Sequence, residues 1–503
     1  MKAVTTEQSR QLDRRTIAAG TPGEELMERA GRAAAKAAAG FLKKRDARSV
    51  LLLAGKGNNG GDAIVAARHL AVAGCHPLLI LFCRLDELQG DPLLHFQRLV
   101  TGVHIFEMPS VEQMYEIATE AGPAVVVDGL LGTGLKGKVR EPYASAIRFM
   151  NQLQLPVVAI DIPSGIDSDT GARHGVCVRA DVTVTMGLPK IGLLQAAAAD
   201  HVGRIEVADI GFPRQFVEEI QTEIELLTAA DVKPLLPCRR PTAHKGDFGH
   251  LLIVAGSEGY TGAPVLCAHA AARSGAGLVT LAVPRTIYPV VAASCPPEVM
   301  PRPVEFEQLG PRFLSGFDAI AVGPGLGQQP EVQKMVRRLV TSSSLPVVID
   351  ADALNVIAHD VVALKKLQTP MVLTPHPGEM GRLIGKTARE VQTHRWEIAK
   401  HFARKHGVVT VLKGAGTVVT DKSGKLWINS TGNPGMAKGG MGDALTGMIG
   451  AFLAQGLSPL DAARAGVFLH GLAGDIARER HGEQSLLASD LISSLGAAFA
   501  ALD

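Results

Sequence analysis

Aromatic residues make up only 4% of this 503-residue chain, too few for the stacked platforms that hold single-stranded nucleic acid. Net charge is nearly absent as well. Lys and Arg number 51 against 49 Asp and Glu, a formal +2, so no global field draws the chain to nucleic acid or to an anionic membrane. Any recognition of phosphate must be local. The six cysteines (Cys75, Cys83, Cys177, Cys238, Cys267, Cys295) include no C-x-x-C pair, which argues against a structural zinc site and fits thiols in a reducing cytoplasm. No eighteen apolar residues run uninterrupted by charge, and the basic N-terminus MKAVTTEQSRQLDRRT has no apolar run behind it. Neither a membrane span nor a secretory signal is expected, and the chain reads as cytoplasmic.

What is present is 46% hydrophobic and 20% charged, with 55 glycines, a composition of globular α/β chains rather than of disorder. In residues 1–220 helix-like segments (5–19, 24–41 and 62–73) accompany short apolar strand-like runs at 49–54, 78–82, 124–128, 157–161 and 181–185. Apolar runs that do not alternate predict a parallel sheet covered on both faces, in a Rossmann-like doubly wound domain. A stretch with Pro213, Pro234, Pro237 and Pro241 breaks the pattern. A second α/β domain, residues 225–503, then restarts with strands expected at 250–255, 278–283, 319–322, 347–350, 371–374 and 408–412, closed by a long alanine-rich helix after Asp443. No sequence repeat links the halves, so they read as a fusion of different domains.

Three strands of the first domain run into polar loops, where open α/β sheets bind their ligands. GKGNNGGD (55–62) offers Asn58, Asn59, Gly60, Gly61 and Asp62; DGLLGTGLKG (128–137) suits a phosphate cradle, with Lys136 and Lys138; DIPSG (161–165) is the third. Asp62 can cap the following helix or receive a ribose hydroxyl, and Asn59, Asp128 and Ser164 can offer oxygens to a hard cation. The plainer alternative is that Asp128 and Asp161 cap strand ends and the glycines make tight turns. Three converging loops weigh against it.

The second domain carries HKGDFGHLLIVAGS (244–257), VGPGLG (322–327), DADALN (350–355), TPHPGEM (374–380) and LKGAGT (412–417), and then GNPGMAKGGMGD (432–443). The last is the densest signal. Glycines strip side chains from the turn, so backbone N–H groups and the positive end of the next helix can face a phosphate. A carboxylate beside that anion does not bind it, but Asp443 makes sense as a base that deprotonates a hydroxyl while the cradle stabilises a transferring phosphoryl group. Taken singly, Asp443 reads as a helix cap, His376 as a surface histidine and Asp350 as a strand-end cap; together they are hard to explain as packing.

These motifs, spread over nearly the whole chain, closely resemble those of the bifunctional NAD(P)H-hydrate repair enzymes, in which an NAD(P)H-hydrate epimerase is fused to an ADP-dependent (S)-NAD(P)H-hydrate dehydratase of ribokinase-like fold. The resemblance implies that Asn58, Asn59, Gly60, Gly61, Asp62, Gly132, Thr133, Gly134, Leu135, Lys136, Gly137, Lys138, Tyr143 and Asp161 surround the hydrate in the epimerase, with Asp161 as its acid/base residue and potassium at Asn59, Asp128 and Ser164. In the dehydratase it implies substrate contacts at Ala263, Gly325, His376 and Asp443, and an adenine-nucleotide site at Lys413, Gly414, Ala415, Gly416, Thr417 and Gly442. Magnesium accompanies the nucleotide; ribokinase relatives carry Asn-x-x-Glu near it, where this chain has His376 to Glu379. The implied partners are the NADH and NADPH hydrates and ADP, with no nucleic acid or membrane, and a homo-oligomer is expected. The competing reading is a ribokinase-type small-molecule kinase with an N-terminal nucleotide-sensing domain. A third makes the first domain a binding module only, since it lacks an obvious His or Cys nucleophile.

Overall fold

A computed structural model of the chain describes residues 1–366, 369 and 371–502, which divide into two compact units, Lys2–Ile224 and Met1 with Glu225–Asp503. In the first, seven strands form one parallel sheet: β1 (Ser49–Ala54), β2 (His76–Leu81), β3 (His104–Glu107), β4 (Val125–Gly129), β5 (Val157–Ile160), β6 (Val182–Met186) and β7 (Arg204–Ala208). Their spatial order is 3-2-1-4-5-6-7, so the winding reverses between β1 and β4. Successive residues of β1 feed opposite cores. Val50, Leu52 and Ala54 pack on one face and Leu51 and Leu53 on the other, the double burial that an unalternated apolar run encodes.

The loop after β1 differs from expectation. The helix expected at 62–73 begins four residues earlier, as Asn58–Val72, with Gly57 as its N-cap and no side chain closing it. Asp62 is therefore not the cap but a buried residue one turn in. The glycines of this motif are fixed by packing. A Cβ on Gly55 would lie 2.1 Å from the Leu130 carbonyl oxygen, and one on Gly60 would lie 1.7 Å from that of Gly55. Gly60→Ala is therefore expected to destabilise the unit by about 3 kcal/mol or more, because backbone rather than a flexible side chain must move. A thermal melt matching the parent protein would refute this.

The second unit holds a ten-stranded sheet in the order β11-β10-β9-β12-β13-β14-β15-β16-β17-β8. Here β8 is Ile224–Leu227, β9 His250–Val254, β10 Leu278–Pro284, β11 Val299–Val304, β12 Ala319–Val322 and β13 Val347–Ile349. The rest are β14 (Met371–Leu373), β15 (Val409–Leu412), β16 (Val418–Thr420) and β17 (Leu426–Asn429). From β11 to β15 the neighbours pair in parallel; β15, β16 and β17 pair antiparallel. Helix Met441–Ala454 is buried over most of its length against helix Gly262–Arg273, close enough that a Cβ on Gly447 would meet the Cys267 carbonyl at 2.0 Å. It does not close the fold: helices Pro459–His481 and Ala488–Ala500 follow. Strands β3, β7, β8, β11, β16 and β17 were not anticipated from the sequence, being short, polar or edge-placed. All six cysteines are free, and among the described residues no helix is long and apolar enough to cross a membrane.

Candidate functional site

Both units gather their polar side chains at the carboxyl ends of parallel strands. In the first, Asp128 at the end of β4 is fully buried and accepts from the Ser164 amide (2.8 Å), the Ser164 hydroxyl (2.6 Å) and the Leu130 amide (3.2 Å). The Asn59 amide group donates to the Leu131 carbonyl at 3.1 Å, and the Leu131 amide donates to Ser164 Oγ at 2.9 Å. Asn59, Asp128 and Ser164 thus converge around Leu131 where the winding of the sheet reverses. Burial pushes the Asp128 carboxyl up to about 6 against the pull of its Ser164 and Leu130 bonds.

A second cluster lies beyond β5. Asp161 sits in a left-handed turn (φ 61°) and accepts from the buried ammonium of Lys190, from the Met186 amide at 3.1 Å and from Thr185 Oγ1 at 3.3 Å. Lys190 is 1% exposed, held where its strand-end segment bridges Val4. Asp62 and Asp13 complete the cluster, both pushed above the ordinary carboxylate value by burial, Asp62 strongly and with the Asp161 and Asp13 charges adding to it. Asp13 and Lys190 went unread in the sequence. The one signal for Lys190 is a lone cation inside the apolar string MGLPKIGLL.

The loop of Gly132, Thr133, Gly134, Leu135, Lys136, Gly137 and Lys138 follows β4 without regular structure, tied down by Arg10, which donates to the Thr133 carbonyl at 3.1 Å. Lys136 and Lys138 are exposed. Tyr143 opens helix Tyr143–Gln152 and donates to the Phe82 carbonyl at 3.4 Å, its phenol raised by burial and by Cys83 and Glu87 rather than by the Asp161 cluster.

In the second unit the centre is Lys413, just after β15. Its ammonium donates to Asp350 Oδ1 at 2.6 Å and lies 3.9 Å from Glu379 Oε2; the other Asp350 oxygen accepts from Thr446 Oγ1 at 2.7 Å. Burial alone would drive this ammonium down, but Asp350, Glu379 and Asp443 together hold it above its ordinary value. Asp443 is in the first turn of helix Met441–Ala454, whose N-cap, Gly440 (φ 90°), supplies no side chain to the free amides. Burial and the neighbouring Asp350 push the Asp443 carboxyl up to about 6, against the pull of Lys413. Gly442 borders the same ammonium: a Cβ there would lie 3.3 Å from Lys413 Nζ.

His376 is exposed, as its plain reading has it, but it is not loose. Its Nδ1 accepts from the Gly378 and Glu379 amides at 3.0 and 3.3 Å, while its own amide donates to Glu379 Oε2 at 2.8 Å, a reciprocal cap that fixes the turn after β14. Glu379 is buried and its carboxyl raised by that burial despite Lys413. Gly325 (φ 62°) meets Ala263 and Tyr260, a Cβ there lying 3.3 and 3.0 Å from theirs, so Ala263 and Gly325 share one patch with the exposed Tyr260. Gly414, Ala415, Gly416 and Thr417 form the turn between β15 and β16, and Thr417 Oγ1 donates to the Gly414 carbonyl at 2.9 Å. Beneath it the buried Arg395 donates to the Leu412 and Lys413 carbonyls at 3.0 and 3.2 Å. Arg395 and Thr446 lie away from their partners in sequence, 17 and 96 positions from Leu412 and Asp350, and neither they nor Tyr260 belong to a motif.

A family model described as NAD(P)H-hydrate dehydratase matches residues 251–496, and one described as YjeF-related protein N-terminus matches residues 23–192. The bifunctional NAD(P)H-hydrate repair enzyme of Moorella thermoacetica is 40% identical to this chain over 98% of it and 96% of its own length. The chain belongs to the bifunctional NAD(P)H-hydrate repair enzymes. The Escherichia coli member is 39% identical over 94% of this chain and 88% of its own. Among solved structures, the ADP/ATP-dependent NAD(P)H-hydrate dehydratase of Bacillus subtilis, co-crystallised with ATP and Mg2+, covers 55% of this chain and 98% of its own at 34% identity and a TM-score of 0.50. A ribokinase-like superfamily protein of Enterococcus faecalis covers 56% of this chain and 98% of its own at 27% identity and the same TM-score. The second unit is accordingly ribokinase-like. A bifunctional NAD(P)H-hydrate repair enzyme is an isomerase and a lyase, and two separately built centres, one per unit, suit that pairing.

Proposed function

We propose that residues 1–220 epimerise the R and S hydrates of NADH and NADPH and that residues 225–503 dehydrate the S form with ADP, releasing NAD(P)H, AMP and phosphate. The observation that carries the second half is the position of Asp443: a carboxylate beside the uncapped amides of a glycine-led helix, one step from the Lys413 ammonium. Asp443 takes the proton from the ring hydroxyl and the β-phosphoryl group of ADP passes to that oxygen. The carbon–oxygen bond then breaks, phosphate leaves, and a proton lost from the neighbouring ring carbon restores the double bond. Amides of residues 439–442, where the turn enters helix Met441–Ala454, face the charge that develops. Lys413, Gly414, Ala415, Gly416, Thr417 and Gly442 bind the nucleotide in this reading, and Ala263, Gly325 and His376 the hydrate.

Magnesium would arrive with the nucleotide. Among the described residues no three His, Cys, Asp or Glu cluster as a metal site, and Lys413 already fills the space between Asp350 and Glu379. Phosphates and water would therefore supply most of its ligands, as Mg2+ commonly requires. For potassium the donor set fits: Asp128 is buried with no cationic partner among the described residues, Ser164 bonds to it, and the Leu131 carbonyl and Asn59 belong to the same hydrogen-bonded cluster. The ion would order the first turn of helix Asn58–Val72 and the loop of Leu131 and leave the acid/base chemistry to Asp161. The six free cysteines support a cytoplasmic setting.

The test is turnover of purified hydrate epimers with ADP and with ATP. NADH, AMP and phosphate are expected with ADP, and R-hydrate is expected to be consumed through exchange. A stable phosphorylated product with no NADH would instead identify a small-molecule kinase.

A further inference from the structure

Asp161 pairs directly with a buried cation, Lys190, and the carboxyls of Asp13 and Asp62 lie near enough for their charges to act on that pair. A lysine has three N–H donors, and those of Lys190 are directed to Asp161, to the Met186 carbonyl at 3.1 Å and to Thr185 Oγ1 at 3.4 Å. None is left for Asp62. That residue is 8% exposed on helix Asn58–Val72 and accepts no hydrogen bond from any described residue. Asp13, on helix Thr6–Ala18, is less buried and has Arg14 beside it. An ionised Asp62 would face two like charges, offset only in part by a Lys190 whose N–H donors are already engaged, and would have no donor among the described residues, so the proton of the cluster belongs on Asp62.

We propose that Asp62 is the acid of the epimerase, paired with Asp161 as its base, and that Lys190 is a positioning residue that compensates and aims Asp161. The inference rests on the epimerase reading of this unit. In the hydrate the hydroxyl is carried by the carbon next to the ring nitrogen. Asp62 gives its proton to that oxygen, the carbon–oxygen bond breaks toward oxygen, and water leaves while the nitrogen lone pair forms a carbon–nitrogen double bond. Water then adds from the opposite face; the double-bond pair returns to nitrogen and the proton of the incoming water passes to Asp161. Nothing is oxidised or reduced, and one water leaves for each that enters. The proton has moved from Asp62 to Asp161, which primes the pair for the opposite direction, as a reversible exchange of two epimers requires. The strongly raised Asp62 carboxyl accords with this assignment.

The experiment follows R/S exchange from a single purified epimer with the full chain and no nucleotide. A parent protein that does not exchange the epimers would remove the epimerase reading itself. With an active parent, the near-isosteric Asp62→Asn is expected to slow exchange about 100-fold at a melting temperature equal to or above the parent's, and a rate within about threefold of the parent would overturn the acid assignment. Lys190→Met is expected to lower kcat about 100-fold with KM little altered, and Lys190→Arg to recover part of that loss. An unchanged kcat in Lys190→Met, or a defect confined to KM, would overturn the positioning role.

Discussion

Asp443→Asn is expected to lower dehydratase turnover about a thousandfold, the range that loss of a well-placed general base produces, while ADP binding and R/S exchange persist. The amide keeps the size of the carboxyl but cannot take the proton. Because the carboxyl is pushed up to about 6, the parent enzyme should lose dehydratase rate as pH falls through that value, and the variant's residual rate should lack this limb. Stability should move the other way. The folded-state value lies above the ordinary one, so the folded protein holds this proton more tightly than the unfolded chain, and stability drains as pH rises from about 4 to about 6. At neutral pH the buried charge costs the fold roughly 2–3 kcal/mol, and Asp443→Asn is expected to melt higher than the parent in the absence of ligand. Steady-state kinetics, nucleotide calorimetry and a thermal melt check the three parts; full turnover in the variant would end the assignment of Asp443 as base.

Lys413→Met is the second large effect, and here stability and binding fall together. The parent ammonium compensates Asp350, which is 1% exposed, and Glu379, which is 6% exposed, and it borders Asp443. Its removal leaves the buried Asp350 and Glu379 without the ammonium that pairs them, a change that costs on the order of 3–5 kcal/mol. Nucleotide affinity is expected to drop as well, since repulsion by uncompensated acids replaces the attraction of an ammonium. Working the sign for pH, the Lys413 value is held above its ordinary one, so its stabilisation is complete at neutral pH and fades only in strong alkali. Adding Asp350→Asn to Lys413→Met should restore part of the lost stability, because the strongest unpaired charge is removed with its partner. A melting temperature for Lys413→Met equal to that of the parent would show that the cluster does not depend on its cation.

Much of this arrangement was legible in the sequence because glycine-rich loops after apolar runs have a local cause. Strand β1, the turn at Gly55 and the 432–443 loop each follow from a few adjacent residues, and so the strand ends that carry Asp128, Asp161, Asp350 and Lys413 could be found. Lys190 could not be, since its burial depends on a bridge to Val4 some 186 positions away and on acids from two helices. Arg395 and Thr446 escaped for the same reason: each meets its partner through the folding of the sheet. Strands β3 and β7 lie at the sheet's two edges, where one side faces solvent and the apolar signal thins out. The start of helix Asn58–Val72 is not legible locally because two asparagines and two glycines favour turns, while the close approach of Gly60 to the Gly55 carbonyl is a tertiary contact.

The left-handed turn at Asp161 has one last implication. A side-chain-bearing residue in that region of backbone space lies uphill by about 1 kcal/mol or more, and glycine would relax it. The carboxylate is thus aimed by the main chain before any hydrate arrives, like a cocked hammer, and a glycine there would remove both the spring and the striking group.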